Sequence, residues 1–243
     1  MMRGPGGYPG SKKIIFRSGG TERIIIIIPY VKGLVSEGER IEEFMRRSLP
    51  QTVLLHISPE EMEGLIEYAD GKVRVGDPES VSDSVYFAVL SQYGKVSFPS
   101  PALTSAVRYA RRKNIPLEAL DMTEEMFTEV YLKHVGYLAH LRKERRMRRI
   151  LRMALPGEDP VEALLLIDRE IMRQRGYKEV ERARVAWQVD RTLEYMSRLD
   201  KAVLLQEVER VDEMISMLLK RLRSSGIKPR VTLIPPPYPL QKE

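Results

Sequence analysis

Histidine is the side chain best suited to acid–base work or metal binding near neutral pH, and this chain of 243 residues has three: His56, His134 and His140. No two are four residues apart and no HExxH occurs, so a helix-borne pair of zinc ligands is excluded. The absence of cysteine excludes disulfides, thiolate metal sites and a thiol nucleophile. There is also no GxGxxG, no P-loop and no GxSxG. His134 and His140 fall in a helical pattern as surface or packing residues. His56 is different, because it lies near the carboxyl end of an apolar run, residues 52–57 (TVLLHI). A core histidine bonded to a backbone carbonyl is the competing role for it, since one histidine makes no constellation. Carboxylates cluster at Glu42–Glu43, Glu60–Glu61–Glu63 and Glu124–Glu125, but adjacent acids at helix starts complement the helix dipole and license no acid–base pair by spacing alone.

A second kind of chemistry is electrostatic. Residues 141–152 (LRKERRMRRILR) carry seven basic side chains and one acid. Leu138, Leu141, Met147, Ile150 and Leu151 supply an apolar side, so Arg142, Arg145, Arg146 and Arg149 project as a basic face able to grip phosphates. A solvated face paired with glutamates is favoured over nucleic-acid binding, because no aromatic is interleaved for base stacking.

The element that must position any site is residues 23–31, RIIIIIPYV. Five consecutive isoleucines show no alternation, which predicts a central strand buried on both faces. The run is too short for a bilayer, which needs about 20 apolar residues. Residues 12–16 (KKIIF) and the turn 18–21 (SGGT) before it predict a β-hairpin. Pro29 is expected to end the strand, having no N–H for a ladder. Ligands in open α/β sheets collect outside the carboxyl ends of the strands, which directs attention to residues 29–33 (PYVKG).

Further along, residues 38–49 read as a helix capped by Ser36 with Glu39, and 52–57 as a buried strand, completing a βαβ unit. Ser58-Pro59-Glu60-Glu61 starts the next helix. A short strand at 72–75, a loop through Asp77-Pro78, a helix at 81–93, a helix at 102–113 and a strand at 115–120 ending at Asp121 follow. Residues 123–199 read as helical, with breaks at 155–157 and 175–176 and with Trp187 packed in a core stripe. A strand at 201–208, a helix at 212–223 and a strand at 230–234 close the chain. The fold class is therefore α/β: a central mixed, largely parallel sheet flanked by helices, with an N-terminal β-hairpin and a long helical insertion. The expected units are a disordered tail (1–11), the first part of the core (12–122), a helical layer or insertion and dimerisation surface (123–200), the closing part of the core (201–234) and a Pro-rich tail (235–243).

Charge and composition bound the setting. A net charge of +6 permits an anionic partner without requiring one. The start, MMRGPGGYPGS, lacks the apolar core of a signal peptide, and no stretch is long enough to span a membrane, so the expectation is a cytoplasmic protein with no membrane partner. Arginine well above lysine, with no cysteine, is compatible with a thermophilic source.

The order of pieces resembles the TraB/PrgY/Tiki-like family, within the wider group of ChaN and erythromycin-esterase folds. The resemblance rests on a hairpin into an apolar strand, TVLLHISPEEMEGL, PSPALTSAVRYARRKNIPLEALDM, and DRTLEYMSRL followed by KAVLLQEVERVDEMISML. It implies a metal site built from Gly-x-x-His after the first central strand, a glutamate after the next and a later histidine. This chain departs at each point: Pro29 to Lys32 (PYVK), His56, and Glu207, Glu209 and Arg210 stand there instead. Lysine and arginine present no lone pair to a divalent metal at neutral pH, so the metal chemistry does not carry over with the scaffold.

The expectation is a TraB-like scaffold that has lost metal-dependent hydrolysis and acts by binding a small anionic ligand or partner, as a homodimer. It needs no metal and no cofactor. The pocket residues would be Tyr30, Lys32, His56, Asp121 and Arg210, with Lys32 and Arg210 contacting the anion. Two alternatives stand beside it: a metal-dependent hydrolase or peptidase using His56 and neighbouring acids in a rearranged site, and a nucleic-acid-binding protein using residues 141–152.

Overall fold

The computed structural model describes residues 10–73, 81–150, 152 and 159–234. Its centre is a hairpin of β1 (Ser11–Ser18) and β2 (Thr21–Tyr30). Gly19 and Gly20 form the two-residue turn with φ of 57° and 81°, a left-handed pair that L side chains adopt only with strain. Beside β2, in parallel, runs β5 (Lys201–Glu207), then β3 (Thr52–Leu55) and β4 (Leu117–Ala119). On the other side β1 pairs with β6 (Arg230–Ile234), antiparallel. The order β4-β3-β5-β2-β1-β6 makes a mixed, mostly parallel sheet with the isoleucine strand inside it.

The unbroken isoleucine run is explained by two apolar layers. Ile26 and Ile28 enter a core with α1 (Ser36–Ser48), α2 (Pro59–Ala69) and α4 (Pro101–Arg112). Ile25 and Ile27 enter the opposite core, with α8 (Arg175–Met196) and α9 (Val211–Ser224). A third apolar cluster gathers Val31, Leu34 and Val208 with α3 (Val81–Leu90), α6 (Tyr137–Ile150) and α7 (Pro160–Ile171). It roofs the carboxyl end of the sheet. A fourth, smaller cluster joins α5 (Glu124–His134) to α6 and the start of α8.

Several local expectations change. β2 continues through Pro29, which pairs with Gln206. The β1 ladder has already ended at Lys12↔Ile27, and Arg40 donates to the Pro29 carbonyl from the freed edge, so no ladder bond needs the missing N–H. Ser36 does not cap α1; Val35 is the N-cap and makes no side-chain cap hydrogen bond. Buried Glu37 instead accepts from the Val31 N–H at 2.9 Å and from Arg40, tying α1 to the end of β2. Ser58 caps α2 as expected, accepting from Glu61 N–H at 3.1 Å. The expected strand at 72–75 is not a strand at Lys72 and Val73, and its remainder lies outside the described residues, as do the loop at Asp77-Pro78, the break at 155–157, residues 1–9 and the C-terminal tail; Ser11, expected in the N-terminal tail, instead opens β1 by pairing with Ile234. Gly176 does not break the helix but sits in the first turn of α8, where a Cβ would lie 2.2 Å from the His134 carbonyl oxygen. The break falls just before it, at residues 172–174 between α7 and α8, and a further one lies at Val135–Gly136, between α5 and α6. Since α8 supplies Val185 and Val189 to the sheet core, the helical stretch is partly a wall of the main fold. Trp187 is half-buried, and its indole N–H has no hydrogen-bond partner among the described residues.

No helix among the described residues is long and apolar enough to cross a membrane. Ile28 is fully buried in the close-packed layer. Ile28→Ala should cost about 2–5 kcal/mol in chemical denaturation at an unchanged m-value, from lost transfer energy plus a cavity.

Candidate functional site

The parallel register sets Tyr30 beside Glu207 at the ends of β2 and β5. β3 ends one residue before His56, and Asp121 N–H donates to the Ile57 carbonyl at 3.1 Å, pinning that end. After Lys32 the chain turns at Gly33, whose φ of 94° suits glycine. Residues 33–35 then pair with 95–97 through Ser97 N–H to Gly33 O at 2.9 Å and Val35 N–H to Lys95 O at 2.9 Å. That pairing brings Phe98, Pro99 and Ser100 to the same place.

Between these ends, α2, α3 and α8 lies a hollow of about 580 Å³, lined by Tyr30, Lys32, His56, Glu61, Arg184 and Glu207 among others. Its size suits a small organic molecule. Its floor is a polar chain. His56 donates Nδ1–H to the Leu205 carbonyl at 3.0 Å, leaving Nε2 facing the Tyr30 hydroxyl at 3.2 Å and a Glu207 carboxylate oxygen at 3.7 Å. Burial pulls the His56 pKa down, but the hydrogen bond and charge of Glu207, with the Leu205 carbonyl, outweigh it and hold it above the usual 6.5. Burial pushes Glu207 up, yet His56, Lys32 and Arg184 outweigh it and hold the carboxyl well below the usual carboxylate range. Each group thus favours the charged form of the other, imidazolium beside carboxylate. Tyr30 stays a neutral phenol, its pKa raised by burial and by Glu207.

Lys32 reaches the hollow with its side chain 38% exposed and lies 3.4 Å from Asp83 of α3 and 5.9 Å from the Tyr86 ring. Burial lowers its pKa, but Glu207 and Asp83 outweigh that and keep it charged. Glu61, in the first turn of α2, is open to the solvent of the hollow, and its carboxylate makes no hydrogen bond or ion pair with a described residue. The enclosing walls raise its pKa by desolvation, against the pull of His56 and Lys32.

Asp121 and Arg210 are not among the residues lining the hollow. They end up in a ladder of alternating charge behind it. Asp121 accepts from Arg184 Nε at 3.0 Å and from its Nη2. Arg184 donates to Glu181 at 3.2 Å, and Glu181 accepts from Arg210 Nε at 3.0 Å. Arg210 then grips Asp168 of α7 with both terminal nitrogens. Arg184 is the one member of the ladder that also lines the hollow. So the structure brings Tyr30, Lys32 and His56 together, while Arg210 is spent on Asp168 and Glu181 and does not converge with Lys32. Beside them, the Glu209 pKa is pushed up to about 8, by burial and then by Glu207, and its Oε2 has no hydrogen-bond partner among the described residues.

The basic helix α6 is a separate region. Arg142, Arg145 and Arg149 are exposed, whereas Arg146 is half-buried and donates to the Glu170 carbonyl at 3.4 Å. His140 meets the Tyr131 hydroxyl at 3.1 Å and Glu144 at 3.5 Å, away from the hollow. Among the described residues no group of three or more His, Asp or Glu side chains is placed to hold a metal ion.

Sequence reasoning missed Glu61, Arg184 and Glu207 as pocket residues. Glu207 ends a buried strand, and the rule that singled out His56 would have found it. Glu61 looks like any first-turn acid. Arg184 has no local signal, because α8 is charged along its whole length. No protein-family model matches the chain, and no curated protein matches it.

Two consequences follow for stability. The His56 contribution is fully present below pH 6.5 and fades as pH rises through its raised value; that of Glu207 is present above 4.5 and fades as pH falls through its depressed value. The pair is thus most stabilising between those limits. In Glu207→Gln burial is opposed by the Leu205 carbonyl and the charge of Glu61 without the two largest raising causes, so the His56 pKa should drop relative to the native chain, read by NMR titration of its ring. Arg210→Ala strands Asp168, leaves Glu181 with Arg184 as its remaining partner, and should destabilise by about 3 kcal/mol or more in denaturant melts.

Proposed function

We propose that the chain works by binding a small anionic ligand in this hollow, on a TraB-like scaffold that has lost metal-dependent hydrolysis. The observation that carries the reading is Lys32: a charged amine at the carboxyl ends of parallel strands, opening onto a cavity of about 580 Å³. In the family it resembles, a metal-binding histidine is expected at that position. A cation there favours anions and repels metal ions. The single contact of Lys32 with Asp83, at 3.4 Å, is loose beside the two-pronged grip of Arg210 on Asp168, so a ligand anion can share it. Arg184 adds positive potential from the wall. The rival reading, a metal-dependent hydrolase, has His56 and Glu207 at hand and no third donor grouped with them among the described residues. Nucleic-acid binding would rest on the exposed arginines of α6, Arg142, Arg145, Arg148 and Arg149.

The proposal also has the protein working in the cytoplasm as a homodimer. The dimer would form through α5 and α6, where Leu132, Tyr137 and Leu138 stand exposed. The pocket is tested by thermal melts with inorganic phosphate and a panel of small mono- and dicarboxylates. At least one should raise the Tm of the native chain, and Lys32→Ala should abolish the rise. A rise that survives in Lys32→Ala would overturn the assignment.

A further inference from the structure

The charges that face the hollow are unevenly satisfied. Lys32 has Asp83, Arg184 has Asp121 and Glu181, and Glu207 has His56. Glu61 has none of these arrangements. Its carboxylate is reachable from the cavity, has no hydrogen-bonding or ion-pairing partner among the described residues, and is held by a well-formed helix whose start is fixed by Ser58 and Pro59. Glu67, about one and two-thirds helical turns further along α2, also lines the hollow. A molecule that placed only an anion beside Lys32 would leave that wall unanswered and would bring a second negative charge near Glu61 and Glu207.

From this we infer that the ligand carries a cationic nitrogen as well as its anionic group, and that Glu61 receives the nitrogen across the hollow from Lys32. The inference rests on the anion-binding reading above and specifies the other end of the same ligand. Its chemical class is a small zwitterion with separated charges. Charge-assisted hydrogen bonds from an ammonium to a carboxylate in a partly enclosed site are the strong kind, and desolvation disfavours the Glu61 carboxylate charge, a cost that such a nitrogen would offset. Because Lys32, two residues past the end of β2, and Glu61, in the first turn of α2, both already line the hollow, the ligand needs no rearrangement of the fold to meet them.

The test uses the full chain and isothermal titration with β-alanine, 4-aminobutyrate and 6-aminohexanoate, each against the carboxylate of the same length: propionate, butyrate and hexanoate. At least one ω-amino acid should bind about tenfold or more tightly than its matched carboxylate, the scale of one charge-assisted hydrogen bond. Glu61→Gln should erase that preference while leaving the carboxylate affinity within about twofold. Glu63→Gln, on the same turn but outside the hollow lining, should leave the preference intact. Equal binding of an ω-amino acid and its carboxylate in the native chain would overturn the inference and leave the anion reading standing. Binding of an ω-amino acid that is lost in Glu61→Gln but unchanged in Lys32→Ala would support the Glu61 contact and overturn the anion reading. Failure of all these compounds to bind would overturn both.

Discussion

The parallel pairing of β2 with β5, in register from Ile24↔Lys201 to Tyr30↔Glu207, is the constraint on which the rest depends. A one-residue slip would turn Ile25 and Ile27 toward the wrong helices, and with isoleucine at every position the core itself would tolerate that poorly informative change. What discriminates is the polar end of the ladder. Only the observed register sets Tyr30 beside Glu207, with His56 bonded to the Leu205 carbonyl on the neighbouring strand pair. An apolar strand of uniform composition thus relies on its last residues for register, and those same residues floor the hollow.

Stability and binding are carried by different charges. The ladder from Asp121 through Arg184, Glu181 and Arg210 to Asp168 joins the end of β4 to α8, to the turn after β5 and to α7. It replaces apolar packing where the roof helices meet the sheet, a region in which buried pairs gain little on balance but specify which helix sits where. Lys32 and Glu61 belong to no such ladder. Their surroundings keep Lys32 charged and Glu61 reachable, at little structural advantage to the fold.

Much of this was legible in the sequence because periodicity reports burial directly. The isoleucine run, the Gly-Gly turn, the Ser58-Pro59 start and the apolar strand at 52–57 each have one dominant physical meaning, and the α/β sheet with its hairpin follows from them. The misreadings share a cause as well. Pro29 was judged by what it lacks, without knowledge that the neighbouring ladder stops two residues earlier. Ser36 and Glu39 matched a capping pattern, yet the tertiary demand for an acceptor at Val31 N–H was met by Glu37. Arg210 follows a buried strand like a ligand-binding residue, but its partners Asp168 and Glu181 are 42 and 29 positions away and no local pattern announces them. Long-range ion pairs are invisible to spacing rules, whereas strand ends are not.

Glu209 shows how finely the interior is balanced. The ladder holds three carboxylates against two guanidinium groups, and Glu207 is matched by His56 and Lys32 by Asp83. A further ionised acid would add uncompensated charge, and Glu209 instead keeps its proton up to about pH 8, with burial and Glu207 as the reasons. An acid of raised pKa favours the folded state least as pH rises, because the unfolded chain releases the proton from about 4.5 upward while the folded one retains it. The fold thus accepts a pH-dependent loss at Glu209 to avoid one more negative charge beside Glu207. On the same reasoning, the negative charge left exposed at Glu61 sits where a ligand, and not the protein, is in a position to answer it.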